Sequence, residues 1–316
     1  MLLSNFYVDN LVKTCSSSEA LGNLYRLAVE RLEKGGFQLR SCISNSEEVR
    51  EEMKADGTFV EHQSEWGKVL GYKYNPNSDE LSIAYNKCDS SVKTKRGMLA
   101  ESSKIFDPLS LCLPVTVRGR VLVGALWKLG FAWDDTVPEE QLKGWQNLSR
   151  DLNQLSGLRF RRRSLDEGKA TDVYVFCDAS KQAYGFVMYA VQEGKSSMVF
   201  AKAKMSPLWE QTLPTLELLA TYLALKCLKP VLKIFHNVIV NNVYVAVDAQ
   251  VVLSWIVTKK LALKKNVFVK KRIQDISMME KGLRSEFGLD IHYRYIATAE
   301  NPADLLTRGL TMKKFR

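Results

Sequence analysis

The sequence predicts an α/β fold in its second half, a mixed five-stranded sheet flanked by helices, behind an α+β N-terminal part. Three observations predict it. Between residues 173 and 204, three apolar runs follow one another across short turn-prone segments, the pattern of consecutive hairpins. From there to the end, helix and strand patterns alternate, which places helices on the faces of a sheet. The first half lacks that alternation and shows strand, helix and hairpin signals followed by a stretch of helical period.

Taken in order, "NFYVDN" (5–10) alternates briefly as a strand. "SSSEALGNLYRLAVERLEK" (16–34) sets Leu21, Leu24, Leu27, Ala28 and Leu32 on one face, with serine at its start and Gly35-Gly36 at its stop, so it is an amphipathic helix. "GFQLRSCIS" (36–44) reads as another strand. "EWGKVLGYKYNPNSDELSIAY" (65–85) holds two strand-like runs around an Asn-Pro-Asn-Ser-Asp turn, a hairpin signal. From Thr94 to about Leu158 the pattern is helical and broken at Pro108, Pro114 and Pro138, which gives about three helices. "RFRRRSLDEGKATD" (159–172) is charged and without period, the best linker. These signals divide the chain into 1–93, 94–165 and 166–316. In the last part strands are expected at 173–177, 184–191 and 197–204, then a helix from Thr215 to Leu232 and a strand at 242–248. Helices in "AQVVLSWIVTKK" and over 267–282, a strand at 290–297 and a short helix after Asn301 complete it.

With 46% hydrophobic and 25% charged residues, the composition is that of a globular protein and excludes a disordered chain. No apolar run approaches the ~20 residues needed to cross a bilayer, and the start lacks the pattern of a signal peptide, so an intracellular protein without a membrane partner is expected. The six cysteines form no CxxC pair, and His62, His236 and His292 lie near none of them at zinc-finger spacing. Neither a disulfide framework nor a zinc site is expected. The net charge of +10 is uneven: residues 1–167 carry 23 Lys/Arg against 23 Asp/Glu, while 168–316 carry 22 against 12. That surplus suggests a polyanionic partner, nucleic acid first and an anionic membrane second, against the bland reading of a merely basic soluble surface.

In this basic half the acids are informative. Asp178 ends the first strand, and Glu217 lies one turn into a helix that is otherwise apolar on nearly every side. Asp248 ends the fourth strand. Asp304 falls in the first turn after Asn301, a capping residue, and Pro302, suited to the first helical position. Each has an ordinary explanation: strand-end turns for Asp178 and Asp248, an exposed helix position for Glu217, a dipole-favoured acid for Asp304. Together, two strand ends, a helix and a helix start can converge on one sheet edge, where four carboxylates repel unless cations hold them. Oxygen ligands without His or Cys favour Mg²⁺ or Mn²⁺. Two such ions, ~4 Å apart, suit phosphodiester hydrolysis.

The motifs "FCDAS", "LPTLELLA", "VDAQVVLSWI" and "NPADLLTRG", in that order, resemble the ribonuclease H domain of BEL/Pao-type LTR retrotransposon polyproteins, the Pao retrotransposon peptidase family. "FYVDN" resembles the Tyr-Val-Asp-Asp hairpin of a reverse transcriptase palm, and "LGY" (70–72) its primer grip. "TKRGMLAESSKIFDPLSLCLPVTVRGRVLVGALWKLGFAWDD" resembles the thumb and connection of the same elements. The resemblance implies a partial palm (1–93), a helical thumb and connection (94–165) and a ribonuclease H-like domain (166–316). It implies Asp178, Glu217, Asp248 and Asp304 as ligands of two Mg²⁺ or Mn²⁺ ions, and hydrolysis of the RNA strand of an RNA–DNA hybrid, read by its 2′-hydroxyls and shape. It also implies an intracellular setting, a cytoplasmic virus-like particle or the nucleus.

The sequence departs from that pattern at several places. Tyr7 and Asp9 keep the palm motif but Asn10 stands where a second Asp is usual, and the upstream palm is missing, so polymerase activity would need a partner segment. Thr215 replaces the usual Arg, and Ala249-Gln250 the usual Ser-led pair. No Asp-Thr/Ser-Gly motif supports a peptidase. "KKLALKKNVFVKKR" (259–272) has seven basic residues and no acid; Lys259, Lys260, Lys264, Lys265, Lys270, Lys271 and Arg272 resemble a basic handle for the hybrid, against the reading of a solvated face. Trp127, Trp133, Trp145, Trp209 and Trp255 are expected in cores, and His292 as structural. Two other readings stay open: a remnant that binds nucleic acid without cutting, and a structural subunit that completes a polymerase through residues 1–45.

Overall fold

The structure is a computed structural model that describes residues 5–8, 10–59, 66–209, 211–235, 237–258 and 267–315. The chain divides into two compact units, 1–84 with 156–163, and 85–155 with 164–316.

In the first unit, β1 (Phe6–Tyr7) and β2 (Asn10–Leu11) form a two-stranded hairpin. Helix α1 (Ser18–Lys34) starts where Ser17 accepts a hydrogen bond from the Ala20 N–H at 3.1 Å, the expected serine cap. It packs Tyr25 against Val49 and Met53 of α2 (Glu47–Ala55), with Cys42 between them. The strand expected at 36–44 does not form: that segment links α1 to α2 and makes one isolated bridge, Cys42 to Phe59, with no continuous partner strand. The hairpin expected at 65–85 is present as β3 (Gly67–Val69), β4 (Tyr72–Asn75) and β5 (Glu80–Ile83). The Asn75 side chain accepts from Asn77 and Ser78 and so fixes its turn. The linker reading of 159–172 is corrected. β6 (Phe160–Arg161) pairs with β5, and Arg162 grips Asp79 through two bonds of 2.6 and 2.9 Å. Its partner lies some eighty residues upstream, so no local period announces it.

The second unit begins with the three expected helices, α3 (Lys95–Ser103), α4 (Leu113–Lys128) and α5 (Glu139–Leu152). Pro114 does not break a helix but stands in the first turn of α4, where its missing N–H costs nothing. Then come β7 (Ala170–Ala179), β8 (Ala183–Gln192), β9 (Lys195–Met205), α6 (Leu213–Ile234), β10 (Ile239–Val247), α7 (Gln250–Thr258), α8 (Val267–Phe287), β11 (Ile291–Tyr295), α9 (Asp304–Arg308) and α10 (Met312–Phe315). The sheet runs β11-β10-β7-β8-β9, with β7, β8 and β9 antiparallel and β10 and β11 parallel to β7. The parallel pairs follow from helical crossovers, since only a long connection returns a chain to the same direction.

One face of the sheet is the main core. Val173, Val175, Cys177, Phe186, Met188, Val243 and Val245 meet Leu218, Leu225 and Leu228 of α6, with α7 and α8 beside them. The alternation of β7 and β10 sends Phe176 and Ala246 to the other face. There Val187, Ala201 and Ala203 pack on Leu113 and Val117 of α4 and on Ala303 and Leu306 at α9. α4 is thus a layer of the sheet domain rather than a neighbour of it. Among the tryptophans, Trp145 and Trp255 are buried and Trp133 is half-buried, but Trp127, in the last turn of α4, and Trp209, in the loop after β9, are exposed. Among the described residues no helix is long and apolar enough to cross a membrane.

Residues 85–316 are expected to fold as a monomer with one cooperative melt, whereas 166–316 should bind apolar dyes and associate, because Val187, Ala201 and Ala203 lose their cover. Size-exclusion chromatography and thermal melts of the two fragments check this.

Candidate metal centre

Parallel strands β7 and β10 run side by side, Val247 pairing with Cys177, so the next residues, Asp178 in the last pair of β7 residues and Asp248 just past β10, meet at one edge. α6 brings Glu217 in from its second turn. Its helix is buried on almost every side, and a carboxylate there is enclosed with the rest. Asp178 is 3% exposed and Glu217 4%, so the readings of strand-end turn and exposed helix position fail for these two. One oxygen from each of Asp178, Glu217 and Asp248 lies within 4.8 Å of the others, a group that could hold a metal ion. Opposite Asp178 stands Gly185, where a Cβ would come within 2.5 Å of the Lys202 carbonyl. Only glycine lets β9 close on the strand beneath the site.

Each carboxylate is held by one of its oxygens. Glu217 Oε1 accepts from the Ala179 N–H at 3.0 Å, while Oε2 is buried and has no hydrogen-bond partner. The Thr307 hydroxyl donates to Asp178 Oδ2, and that of Thr298 to Asp248 Oδ2 at 2.8 Å. Asn301 Nδ2 donates to the Cys177 carbonyl at 2.9 Å, so it fastens the C-terminal segment to the acidic end of β7. A buried, unpartnered carboxylate oxygen among two other acids is what a cation would satisfy, and an all-oxygen donor set fits Mg²⁺ or Mn²⁺.

Asp304 does not join the group of three. It stands in the first turn of α9 with Oδ1 bound by Arg308 Nε at 2.5 Å, yet is near enough for its charge to act on Asp178 and Glu217. Burial is the main cause that pushes Asp178 up to about 6; the Thr307 hydroxyl opposes it, and Asp248 and Asp304 add to it. Burial likewise pushes Glu217 up to about 9, with the charges of Asp178 and Asp248 adding and the Ala179 N–H opposing.

The other sequence candidates lie elsewhere. Tyr7 and Asn10 pair across the β1–β2 hairpin of the first unit, and Asp9 lies outside the described residues. Lys259, Lys260, Lys264 and Lys265 also lie outside them. Lys270 and Lys271 are exposed on α8. Arg272 turns inward, bonded to Asp275 at 2.9 Å and stacked over Tyr222 and Phe268. Thr298, Asn301 as a strand clasp, and Thr307 are not legible as site residues in the sequence. Their one signal is proximity to Asp304 in "TAENPADLLTRG".

A family model described as the Pao retrotransposon-like RNaseH-like domain matches residues 94–249, a span that takes in α3–α5 and the three clustered acids. Residues 94–249 thus carry a retrotransposon ribonuclease H-like region, which takes in β7 to β10 of the mixed sheet and the helices α3 to α6. No curated protein matches the chain. Among solved structures, it is similar to a foamy viral protease-reverse transcriptase in complex with an RNA/DNA hybrid, at 13% identity and TM-score 0.45, over 72% of this chain and 29% of that one. It is also similar to the N-terminal ribonuclease H domain of a Mycobacterium tuberculosis protein, at 14% identity and TM-score 0.32, over 46% and 96%. A ribonuclease H1 isolated from compost stands at 16% identity and TM-score 0.33, over 47% and 99%.

Raised carboxyl values mean that, between about pH 4 and pH 9, the folded state holds more protons than the unfolded one, so stability falls as pH rises through that window. In chelator, Glu217→Gln is expected to melt above the parent at about pH 9, with the gap closing toward about pH 4. Mn²⁺ should raise the melting temperature of the parent and not of the variant. A pH series of melts with and without Mn²⁺ checks both.

Proposed function

We propose that this chain is the ribonuclease H-bearing part of a retrotransposon reverse transcriptase. In this reading Asp178, Glu217 and Asp248, with Asp304 beside them, bind two divalent ions, Mg²⁺ or Mn²⁺, and hydrolyse the RNA strand of an RNA–DNA hybrid. The observation that carries it is the buried, unpartnered Glu217 Oε2 facing two further carboxylates at the joined ends of β7 and β10. The family match over 94–249 supports it by including all three acids. Bound there, such ions would activate a water and stabilise the leaving oxygen of a phosphodiester.

The chain's own residues do the rest. The Ala179 N–H, the Thr307 hydroxyl and the Thr298 hydroxyl each hold one carboxylate oxygen, which leaves the other to take a cation. Arg308 pairs with Asp304 four residues before it in α9, so Asp304 would exchange that partner for a cation on joining the other acids. Lys270 and Lys271 supply exposed charge for the hybrid backbone, and the surplus of 22 Lys/Arg over 12 Asp/Glu in 168–316 favours a polyanion. Selectivity for the hybrid would lie in 2′-hydroxyl contacts and helix shape, which makes cleavage tolerant of sequence. In the same reading residues 1–93 are the end of a polymerase palm, with Tyr7, Asp9 and Asn10 from its hairpin, and 94–165 correspond to thumb and connection.

The full chain with Mg²⁺ is expected to cut only the RNA strand of a labelled hybrid, and Asp178→Asn to abolish cutting while hybrid affinity stays equal or rises. Unchanged cleavage in that variant would sink the proposed site, and binding without cleavage by the folded parent would leave a nucleic-acid-holding remnant. Replacing both Lys270 and Lys271 by Gln should weaken binding and lower the salt slope by about 1 for each phosphate that a lysine no longer neutralises. Affinity measured across a salt series gives that slope.

A further inference from the structure

The segment that carries Thr307 has a second attachment. Beyond α9, the Leu310 N–H donates to the Pro114 carbonyl of α4 at 2.7 Å, and Arg118 Nη1 donates to the Leu310 carbonyl at 3.1 Å while it also pairs with Asp151 of α5. Between them Gly309 has φ +79°, and a Cβ there would collide with Arg118 Cγ, so both the backbone and the close approach to α4 require glycine. Toward the sheet, Ala303 and Leu306 pack on Leu113 and Val117 of the same helix. Toward the site, Thr307 is fully buried, its hydroxyl on Asp178 and its carbonyl accepting from Ser180 Oγ at 3.3 Å. A single short segment therefore joins α4 to the acidic group.

We infer that Arg118 is a positioning residue of the acidic site: by clasping the segment after α9 to α4 it fixes Thr307, and through Thr307 the orientation of Asp178. Residues of the 94–165 stretch, expected from sequence to serve a separate thumb, then contribute to cation binding through a contact with Leu310, 192 residues along the chain from Arg118. The inference rests on the cation-binding reading of the previous subsection. One nitrogen, Arg118 Nη1, donates to both the Asp151 carboxylate and the Leu310 carbonyl, so the tie to α5 and the clasp on the C-terminal segment share a single group.

The test is Mn²⁺ affinity of the full chain, read by the loss of the free-ion electron paramagnetic resonance signal, which needs no substrate. Arg118→Met is combined with Asp151→Leu, so that no uncompensated charge is left between α4 and α5. That pair and Thr307→Val are each expected to weaken Mn²⁺ by about 10-fold. Joined in one chain, they should weaken it no further than the worse of the two, because both act along one path. Thr307→Ser, which keeps the hydroxyl, should restore affinity. Gly309→Ala, which displaces the segment and leaves the charges alone, should match the Arg118 variant and be equally non-additive with Thr307→Val; it serves if the first pair fails to melt cooperatively. Parent-like affinity in the Arg118 and Gly309 variants, or losses that multiply with Thr307→Val, would overturn the inference. A parent chain that binds no Mn²⁺ would overturn the cation reading itself and this inference with it.

Discussion

The mutual repulsion of three enclosed carboxylates is the constraint on which the second unit is organised. Asp178 and Glu217 are almost wholly withdrawn from water, with the half-buried Asp248 beside them; burial first, and then the charge of Asp248, pushes both toward the protonated form. An arrangement of this kind costs stability unless something positive enters, so the surrounding structure has to hold it in place. The holding groups are neutral: one backbone N–H and two threonine hydroxyls. A basic side chain in their place would quench the group and remove its affinity for cations. Arg308 is kept to Asp304, at the margin, consistent with that division.

Sheet topology supplies the geometry at little cost in sequence. Because β10 returns parallel to β7 through α6, the two strands run in the same direction, and acids one step beyond the Cys177–Val247 pair are automatically neighbours. The same crossover sets the N-terminal turns of α6 beside those ends, which is why an acid early in that helix is the third member. Antiparallel β8 runs the other way and offers Gly185 opposite Asp178, so the narrow point of the sheet lies under the site.

The same topology explains which parts are legible in the sequence. Strands of the second unit declare themselves by apolar runs, and acids at their ends stand out in a basic half, so Asp178, Glu217 and Asp248 can be read from the chain alone. Asp304 is legible as an acid but not as a group turned toward Arg308, because four-residue spacing on a short helix is equally a pair and a ligand. Thr298 and Thr307 are invisible: a threonine hydroxyl has no pattern until the strand it touches is known. β6 and the Arg162–Asp79 clasp escape for the same reason, since β6 is a two-residue strand and the partners of both contacts lie far away in sequence. In the opposite direction, the strand expected at 36–44 fails because β-propensity without a partner yields no ladder.

The position of α4 changes what the chain's middle third means. Its helical period, broken by prolines, is compatible with an independent helical domain, and nothing in 94–165 taken alone distinguishes that from a layer of the sheet. The distinction lies in the sheet: Val187, Ala201 and Ala203 are apolar on the face that α6 does not cover, and a sheet apolar on both faces needs a second layer. α4 is that layer, with Leu113 and Val117 inward and Arg118 turned to the C-terminal segment. The family match beginning at residue 94 rather than at the first strand of the sheet agrees with this assignment of the helices. The apolar pattern of β8 and β9 is therefore the feature from which a helix outside the sheet's own sequence can be required, and Arg118 shows what that helix can do once it is there: hold the segment whose threonine holds Asp178.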